Sequence, residues 1–169
     1  MKTVTGNLIE MFDQFDIIVH GCNCFNVMGA GIAPQINKAF SNVASIADAT
    51  TIPGDIEKLG KVSVGRYQYF DMKQKANRIL YIVNAYTQYG TARFPGDTVV
   101  NYDAIASCFK LVREIALSHR RSRVGYPQIG SGLAGGNWEI ISKIIDRELE
   151  GINHTCVVYD GSLTPNRVN

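Results

Sequence analysis

Apolar positions along the chain recur with two different periods. Residues 16–20 (DIIVH), 61–70 (KVSVGRYQYF), 79–83 (ILYIV), 124–127 and 155–159 are short runs, either alternating or continuously apolar. Runs of that length and composition predict buried or half-buried strands, and residues 3–5 add a candidate edge strand. The polar stretch 71–77 (DMKQKAN) between two of the runs reads as a hairpin loop. The helical period is clearest after Asn101, where Ile105, Cys108, Phe109, Val112, Ile115 and Ala116 fall on one face. Asn137 predicts an N-cap for a second helix that turns Trp138, Ile141, Ile144, Ile145 and Leu149 inward, carries Arg147 in its last turn and stops at Gly151. A third starts near Gly31 and carries Ile32, Ile36, Ala39, Phe40 and Val43, with Pro34 in its first turn, where a missing N–H costs little. Strand runs alternating with helical stretches make an α/β domain. Residues 44–60 carry no clear period, and 88–100 (QYGTARFPGDTVV) reads as a long surface loop, a feature often tied to function in a compact domain.

Composition narrows the picture. A length of 169 residues with 46% hydrophobic content predicts one domain over 1–169 with a single sizeable core. Seventeen basic residues against fifteen acidic ones leave a net charge of +2 without a long single-sign run. That argues against a dedicated nucleic-acid binder, which normally shows a clustered basic surface, and no direct sequence-specific nucleic-acid binding is expected. Arg120-Arg121-Ser122-Arg123 reads as a solvated helix end with cations near the last carbonyls. With no apolar run of ~18 to 20 residues and no signal-peptide core, the expectation is a soluble protein of the cytoplasm with no membrane partner; a monomer is expected. The four cysteines, Cys22, Cys24, Cys108 and Cys156, sit in apolar or motif-like segments, which predicts reduced thiols.

The glycines point to chemistry. Of sixteen, seven fall in two clusters, Gly21 to Gly31 and Gly130 to Gly136. Residues 16–33 (DIIVHGCNCFNVMGAGIA) read as strand, loop, then Gly29-Ala30-Gly31 opening a helix; residues 127–138 (PQIGSGLAGGNW) repeat that grammar. Consecutive amides in such a loop, together with the positive end of a helix, make an anion site. Two of them at neighbouring strand ends could grip a diphosphate from both sides, as open α/β sheets place ligands at the carboxyl ends of strands. A Rossmann fingerprint is the competitor, and the spacing is wrong for it. Eight residues separate His20 from Gly29, the third glycine position is Pro34, and no strand-end acid lies about twenty residues on.

Together the loops resemble the macro domain, the ADP-ribose-binding module. The carrying motifs are His20-Gly21-Cys22-Asn23 with Gly29-Ala30-Gly31-Ile32-Ala33, and Pro127-Gln128-Ile129-Gly130-Ser131-Gly132-Leu133. Thr5-Gly6-Asn7-Leu8 and the closing Val158-Tyr159-Asp160 match further. The resemblance covers essentially the whole chain and implies a three-layer α/β/α sandwich with a central mixed sheet of about six strands. HGCNC with GAGIA looks most like the branch holding ADP-ribose 1''-phosphate phosphatases and terminal ADP-ribose glycohydrolases, where small stand-alone proteins of bacteria and their phages also fall. A phage-encoded member would work in the host cytoplasm.

The resemblance implies a ligand site residue by residue. Asn7, beside Leu8, replaces the Asp that usually receives the adenine amino group, keeping an acceptor and losing the charge. Tyr159 would stack on adenine, with Asp160 as a ligand contact or second acid. Gly29, Ala30, Gly31, Ile32 and Ala33, preceded by Met28, and Gln128, Ile129, Gly130, Ser131, Gly132, Leu133 and Ala134 would surround the two phosphates and the distal ribose. Gly21 and Asn23 would flank that ribose, Asn23 by hydrogen bonding next to the scissile bond. Ala134 stands where the glycohydrolase branch has its catalytic Asp, and no Lys lies between Tyr81 and Lys110 to partner it. A covalent mechanism through that pair is therefore not expected.

Hydrolysis of a phosphate monoester needs a base for water and a proton for the leaving oxygen. His20, at the strand end beside the first loop, has the pKa range for either task, so His20 and Asn23 are the candidate catalytic pair. His20, Cys22 and Cys24 with His154 or Cys156 also invite a metal reading, but no paired C-x-x-C spacing supports one. No metal and no cofactor are expected. A Cys nucleophile lacks an orienting third group. Three functions compete: ADP-ribose 1''-phosphate phosphatase, hydrolase of ADP-ribosylated macromolecules, and non-catalytic reader of ADP-ribose. Tyr89, Arg93 and Phe94 suit residues 88–100 to closing over the ligand as a lid.

Overall fold

The computed structural model describes residues 1–92, 94, 96–119, 122–159 and 161. The strands are β1 (Lys2–Thr5), β2 (Ile17–Asn23), β3 (Val62–Asp71), β4 (Ala76–Gln88), β5 (Arg123–Tyr126) and β6 (Asn153–Val158). They form one mixed sheet of six strands in the order β1-β6-β5-β2-β4-β3. Every neighbouring pair is parallel except β3 with β4. That antiparallel pair is the hairpin expected at 71–77, shortened to residues 72–75 because both strands continue into the polar stretch. Asp71 closes the turn, its Oδ1 accepting the amides of Lys73 (2.9 Å) and Gln74 (3.1 Å).

The helices are α1 (Ala33–Ala39), α2 (Val43–Asp48), α3 (Tyr102–Ser118) and α4 (Trp138–Glu148). The single helix expected to run from Gly31 through Val43 is two. Ser41 and Asn42 adopt left-handed backbone at φ 52° and 57°, which breaks the hydrogen-bond ladder, so Val43 opens α2 inside the stretch that had no clear period. The capping at Asn137 holds as expected, its Oδ1 accepting Glu139 N at 2.8 Å, and Asn101 caps α3 through Ala104 N at 2.8 Å.

Alternation along β2 divides the core into the two faces of a sandwich. Ile17 and Val19 join Val83, Tyr126 and the buried stripes of α3 and α4, including Ile105, Phe109, Val112, Ile141 and Ile145. Ile18 joins Leu80 and Ile82 under Ile36, Phe40 and Ala44 on the opposite face. Each fully buried Ile of α4 contributes about 1.5–3 kcal/mol by leaving water, which is why that helix docks. The result is three layers, α/β/α. Among the described residues no helix is long and apolar enough to cross a membrane.

Candidate functional site

The parallel strands all end on one edge of the sheet. The segments leaving β1, β6, β5, β2 and β4 there surround a cleft of about 870 Å³, within the range of small-molecule sites. Asn7 and Tyr159 stand at the β1–β6 end, and residues 87–92 stand at the β4 end. The two glycine loops form the walls between them.

The first wall follows β2. Asn23 folds the chain back on itself: its Oδ1 accepts Phe25 N (2.9 Å) and Val27 N (3.4 Å), and its Nδ2 donates to Val27 O (2.7 Å). Asn26 takes left-handed backbone, φ 59°, donates from Nδ2 to Asp48 O (2.9 Å) and accepts the Lys58 ammonium at Oδ1. Beyond this anchor the amides of Gly29, Ala30, Gly31, Ile32 and Ala33 have no acceptor within hydrogen-bond geometry among the described residues. With only seven residues in α1, the macrodipole is short, and the loop amides themselves are the donors on offer.

The second wall follows β5 and is built from backbone. Gly136 N donates to Gly130 O (2.8 Å) and Gly135 N to Gly132 O (3.0 Å), while the Ser131 hydroxyl donates to Gln128 O (2.9 Å). The amides of Gly130, Gly132, Leu133 and Ala134 find no acceptor among the described residues. Two runs of unpartnered amides thus lie in the segments that line one cleft.

The expected site residues come together. Asn7, Leu8, Gly21, Asn23, the segment 28–33, the segment 128–134 and Tyr159 all line this cleft. Two of them arrive with their side-chain amides partly engaged. Asn7 Oδ1 already accepts Ile9 N at 2.9 Å, and the Asn23 contacts above leave one Nδ2 hydrogen free. Asp160 lies outside the described residues, as do Arg93 of the expected lid and the Arg120-Arg121 pair.

The Macro domain family model matches residues 19–145. The chain belongs to the macro domain family. This macro domain is 35% identical over 147 residues to an uncharacterized 17.5 kDa protein in the tk-vs intergenic region of Enterobacteria phage T4, across 86% of this chain and 88% of the phage protein. A protein of unknown function from Bacteroides thetaiotaomicron superposes with a TM-score of 0.72 at 26% identity, over 93% of this chain and 96% of that one. Thermosipho africanus DarTG in complex with ADP-ribose shares the fold with a TM-score of 0.66 at 17% identity, over 98% of this chain and 43% of that one.

The macro domain keeps His20 out of the cleft, contrary to the expected catalytic role. His20 shares the face of β2 that carries Ile18, under α2, and has no exposed surface. Its Nε2 lies 2.7 Å from Asn84 Oδ1, while Asn84 Nδ2 donates to Ala44 O and Ser63 Oγ, both at 2.9 Å. Asn84 is therefore the acceptor, His20 Nε2 carries the proton, and Nδ1 faces the Cys22 thiol at 3.6 Å. Burial pushes the imidazole down to about 4, with the Asn84 bond and the Asp48 charge pulling weakly the other way. A neutral group sealed beneath the floor cannot take a proton from a water in the cleft. Cys22 does line the cleft, but burial and then the Asp48 charge raise its thiol well above the ordinary range, which makes it a poor nucleophile. Among the described residues no three His, Cys, Asp or Glu side chains converge to hold a metal.

Sequence reasoning missed Thr87, Gln88, Gln35, Thr91 and Ala92, all of which line the cleft. Only the first two carry a signal, as polar residues at the end of an apolar run. Of the expected lid, the Tyr89 hydroxyl is tied to Gly54 O at 2.8 Å and its ring packs edge-on against Phe25, centroids 5.0 Å apart. Phe94 is 70% exposed. Among the described residues that line the cleft, none carries a carboxylate, imidazole, ammonium or guanidinium group.

Proposed function

We propose that this macro domain binds ADP-ribose and hydrolyses ADP-ribose 1''-phosphate to ADP-ribose and phosphate. The observation that carries the reading is the pair of unpartnered amide runs, Gly29 to Ala33 and Gly130 with Gly132 to Ala134, in segments that line one cleft where the described residues bring no charged side chain. Oriented amides stabilise a diphosphate without basic side chains, which reconciles an anionic ligand with a net charge of only +2. Adenine lies against Tyr159 and Asn7 in this reading, the diphosphate between the walls, and the terminal ribose over the ends of β2 and β4.

With no carboxylate, imidazole, ammonium or guanidinium group among the described lining residues, and with the Cys22 thiol held protonated by burial, the protein's part in hydrolysis is binding and orientation. The ADP half supplies remote binding energy that fixes the reacting end. Water adds at the 1''-phosphorus, the bond to the anomeric oxygen breaks, and that oxygen takes a proton from the substrate's own monoanionic phosphate. The amides of the walls stabilise the phosphoryl oxygens. Four free cysteines, all buried, suit a reducing cytoplasm.

The lack of charged side chains among the described lining residues also favours a second reading, capture of ADP-ribose without turnover. Calorimetry with ADP-ribose, followed by incubation with ADP-ribose 1''-phosphate and with ADP-ribosylated protein and nucleic acid, separates the readings. Phosphate release from the first substrate is the expected result. Release of ADP-ribose from a macromolecule makes the protein a de-ADP-ribosylating hydrolase, binding without release makes it a reader, and no binding at millimolar ADP-ribose overturns all three.

A further inference from the structure

One polar group on the cleft floor has no structural task. β2 and β4 pair in parallel register from Ile17 with Tyr81 to Cys22 with Tyr86, and the next pair is Asn23 with Gln88. Thr87 is skipped. An extra residue of this kind interrupts the ladder and re-aims its side chain, and such bulges concentrate at functional edges. Thr87 lines the cleft with no exposed surface, and its Oγ1 makes no hydrogen bond among the described residues. Its backbone oxygen is fixed from behind by Asn101 N at 2.9 Å.

That hydroxyl lies just beneath the cleft lining, buried and without a partner among the described residues. Gly21 lies against it, and a Cβ there would come within 3.0 Å of Thr87 Oγ1 and 3.1 Å of Ile129 Cγ2. Any larger residue at 21 would cap the hydroxyl. A buried hydroxyl without a partner destabilises the fold, so a partner that arrives with the ligand recovers what the empty cleft loses. Three strand steps separate β6, which delivers Tyr159, from β4, which delivers Thr87. At ~4.8 Å per step that is about 14 Å, a span suited to a dinucleotide-sized ligand lying along the sheet edge with its far sugar at Thr87.

We propose that Thr87 is a specificity-determining residue of the cleft, its hydroxyl hydrogen-bonding the terminal ribose and so distinguishing ADP-ribose from shorter adenine nucleotides. The assignment rests on the binding reading above, with adenine at Tyr159, and does not depend on turnover.

The test is calorimetry of wild type, Thr87→Val and Thr87→Ser with ADP-ribose and with ADP, which lacks the terminal ribose. Thr87→Val keeps the shape and removes the hydroxyl. It is expected to weaken ADP-ribose roughly 2- to 13-fold, the range of one hydrogen bond, while changing ADP less than twofold; Thr87→Ser restores most of the loss. Thermal melting supplies a readout that a structural role would move the other way. Removing an unpartnered hydroxyl leaves the melting temperature of Thr87→Val equal to or above wild type, whereas a hydroxyl that held the fold together would lower it. Wild-type affinity for ADP-ribose in Thr87→Val, or equal loss for both nucleotides, overturns the assignment while leaving the binding reading intact. A wild type that binds neither nucleotide overturns both.

Discussion

The two walls of the cleft both present unpartnered backbone donors and are held in opposite ways. The wall after β2 is fixed from below by side chains. Asn26 is clasped by Lys58 and by the Asp48 carbonyl, and Lys58 pairs with Asp48 Oδ1 at 3.3 Å, both residues being buried. The polar chain continues from Asp48 to the Tyr86 hydroxyl (2.8 Å), Ser63 (2.7 Å), Asn84 (2.9 Å) and His20 (2.7 Å). The wall after β5 is fixed by close backbone packing. Gly135 sits at φ +71° where a Cβ would meet the Asp97 carbonyl oxygen at 2.3 Å, and a Cβ at Gly136 would meet Val100 Cγ1 at 2.6 Å. One wall is therefore vulnerable to changes of charge and the other to changes of size.

The largest effect is expected where the comparison is broken by charge. Lys58→Met removes one partner of a buried pair and should cost about 3–5 kcal/mol in urea unfolding, because Asp48 is left buried without its cation. Adding Asp48→Asn should recover at least half of that. A loss below about 1 kcal/mol for the single variant would show that the first wall does not depend on the pair. Gly135→Ala attacks the other wall and should cost about 2–4 kcal/mol, combining left-handed backbone with overlap against a fixed carbonyl. Its effect should be independent of pH and salt, unlike that of Lys58→Met.

Acid sharpens the contrast further. His20 belongs to the network under the first wall, and its folded pKa of about 4 lies below the unfolded value near 6.5. Between those values the unfolded chain binds the extra proton, so stability rises with pH and is lost as pH falls through the window. From pH 7 to pH 5 that loss is about 2 kcal/mol, from 1.5 units at 1.36 kcal/mol each. His20→Gln keeps a donor toward Asn84 and should flatten the slope, checked by urea titrations at both pH values. An unchanged slope would move the origin to His154, which burial also lowers and which faces Asp146 at 3.4 Å.

The same contrast explains what the chain discloses before folding. The wall after β5 was legible because glycine spacing is itself the constraint: Gly130, Gly132, Gly135 and Gly136 announce a backbone that tolerates no side chains. The strands and the capped helices were legible from period and from Asn137. The anchor of the first wall was not, since Asn26, Asp48 and Lys58 are separated by up to 32 residues and two of them lie in a stretch without period. Single polar residues look like surface until the fold closes over them. The misplacing of His20 has the same root. Strand alternation put it on one of two faces, and only the position of α2 decided that this face is covered. Thr87 was hidden because a β-bulge leaves no mark in the residue pattern.

The smallest expected effect concerns how each wall runs into its helix. Asn137 caps α4 through Glu139 N, whereas the residue before α1, Ile32, makes no side-chain capping bond. Asn137→Ala should therefore cost about 1 kcal/mol, while Ile141 and Ile145, both fully buried, keep α4 docked. Because the Gly130 to Ala134 amides are set by the bonds within their own loop and not by the cap, ADP-ribose affinity should change less than twofold. A larger drop in affinity than in stability would mean that the cap sets the donor geometry, and the second wall would then depend on a side chain as the first one does.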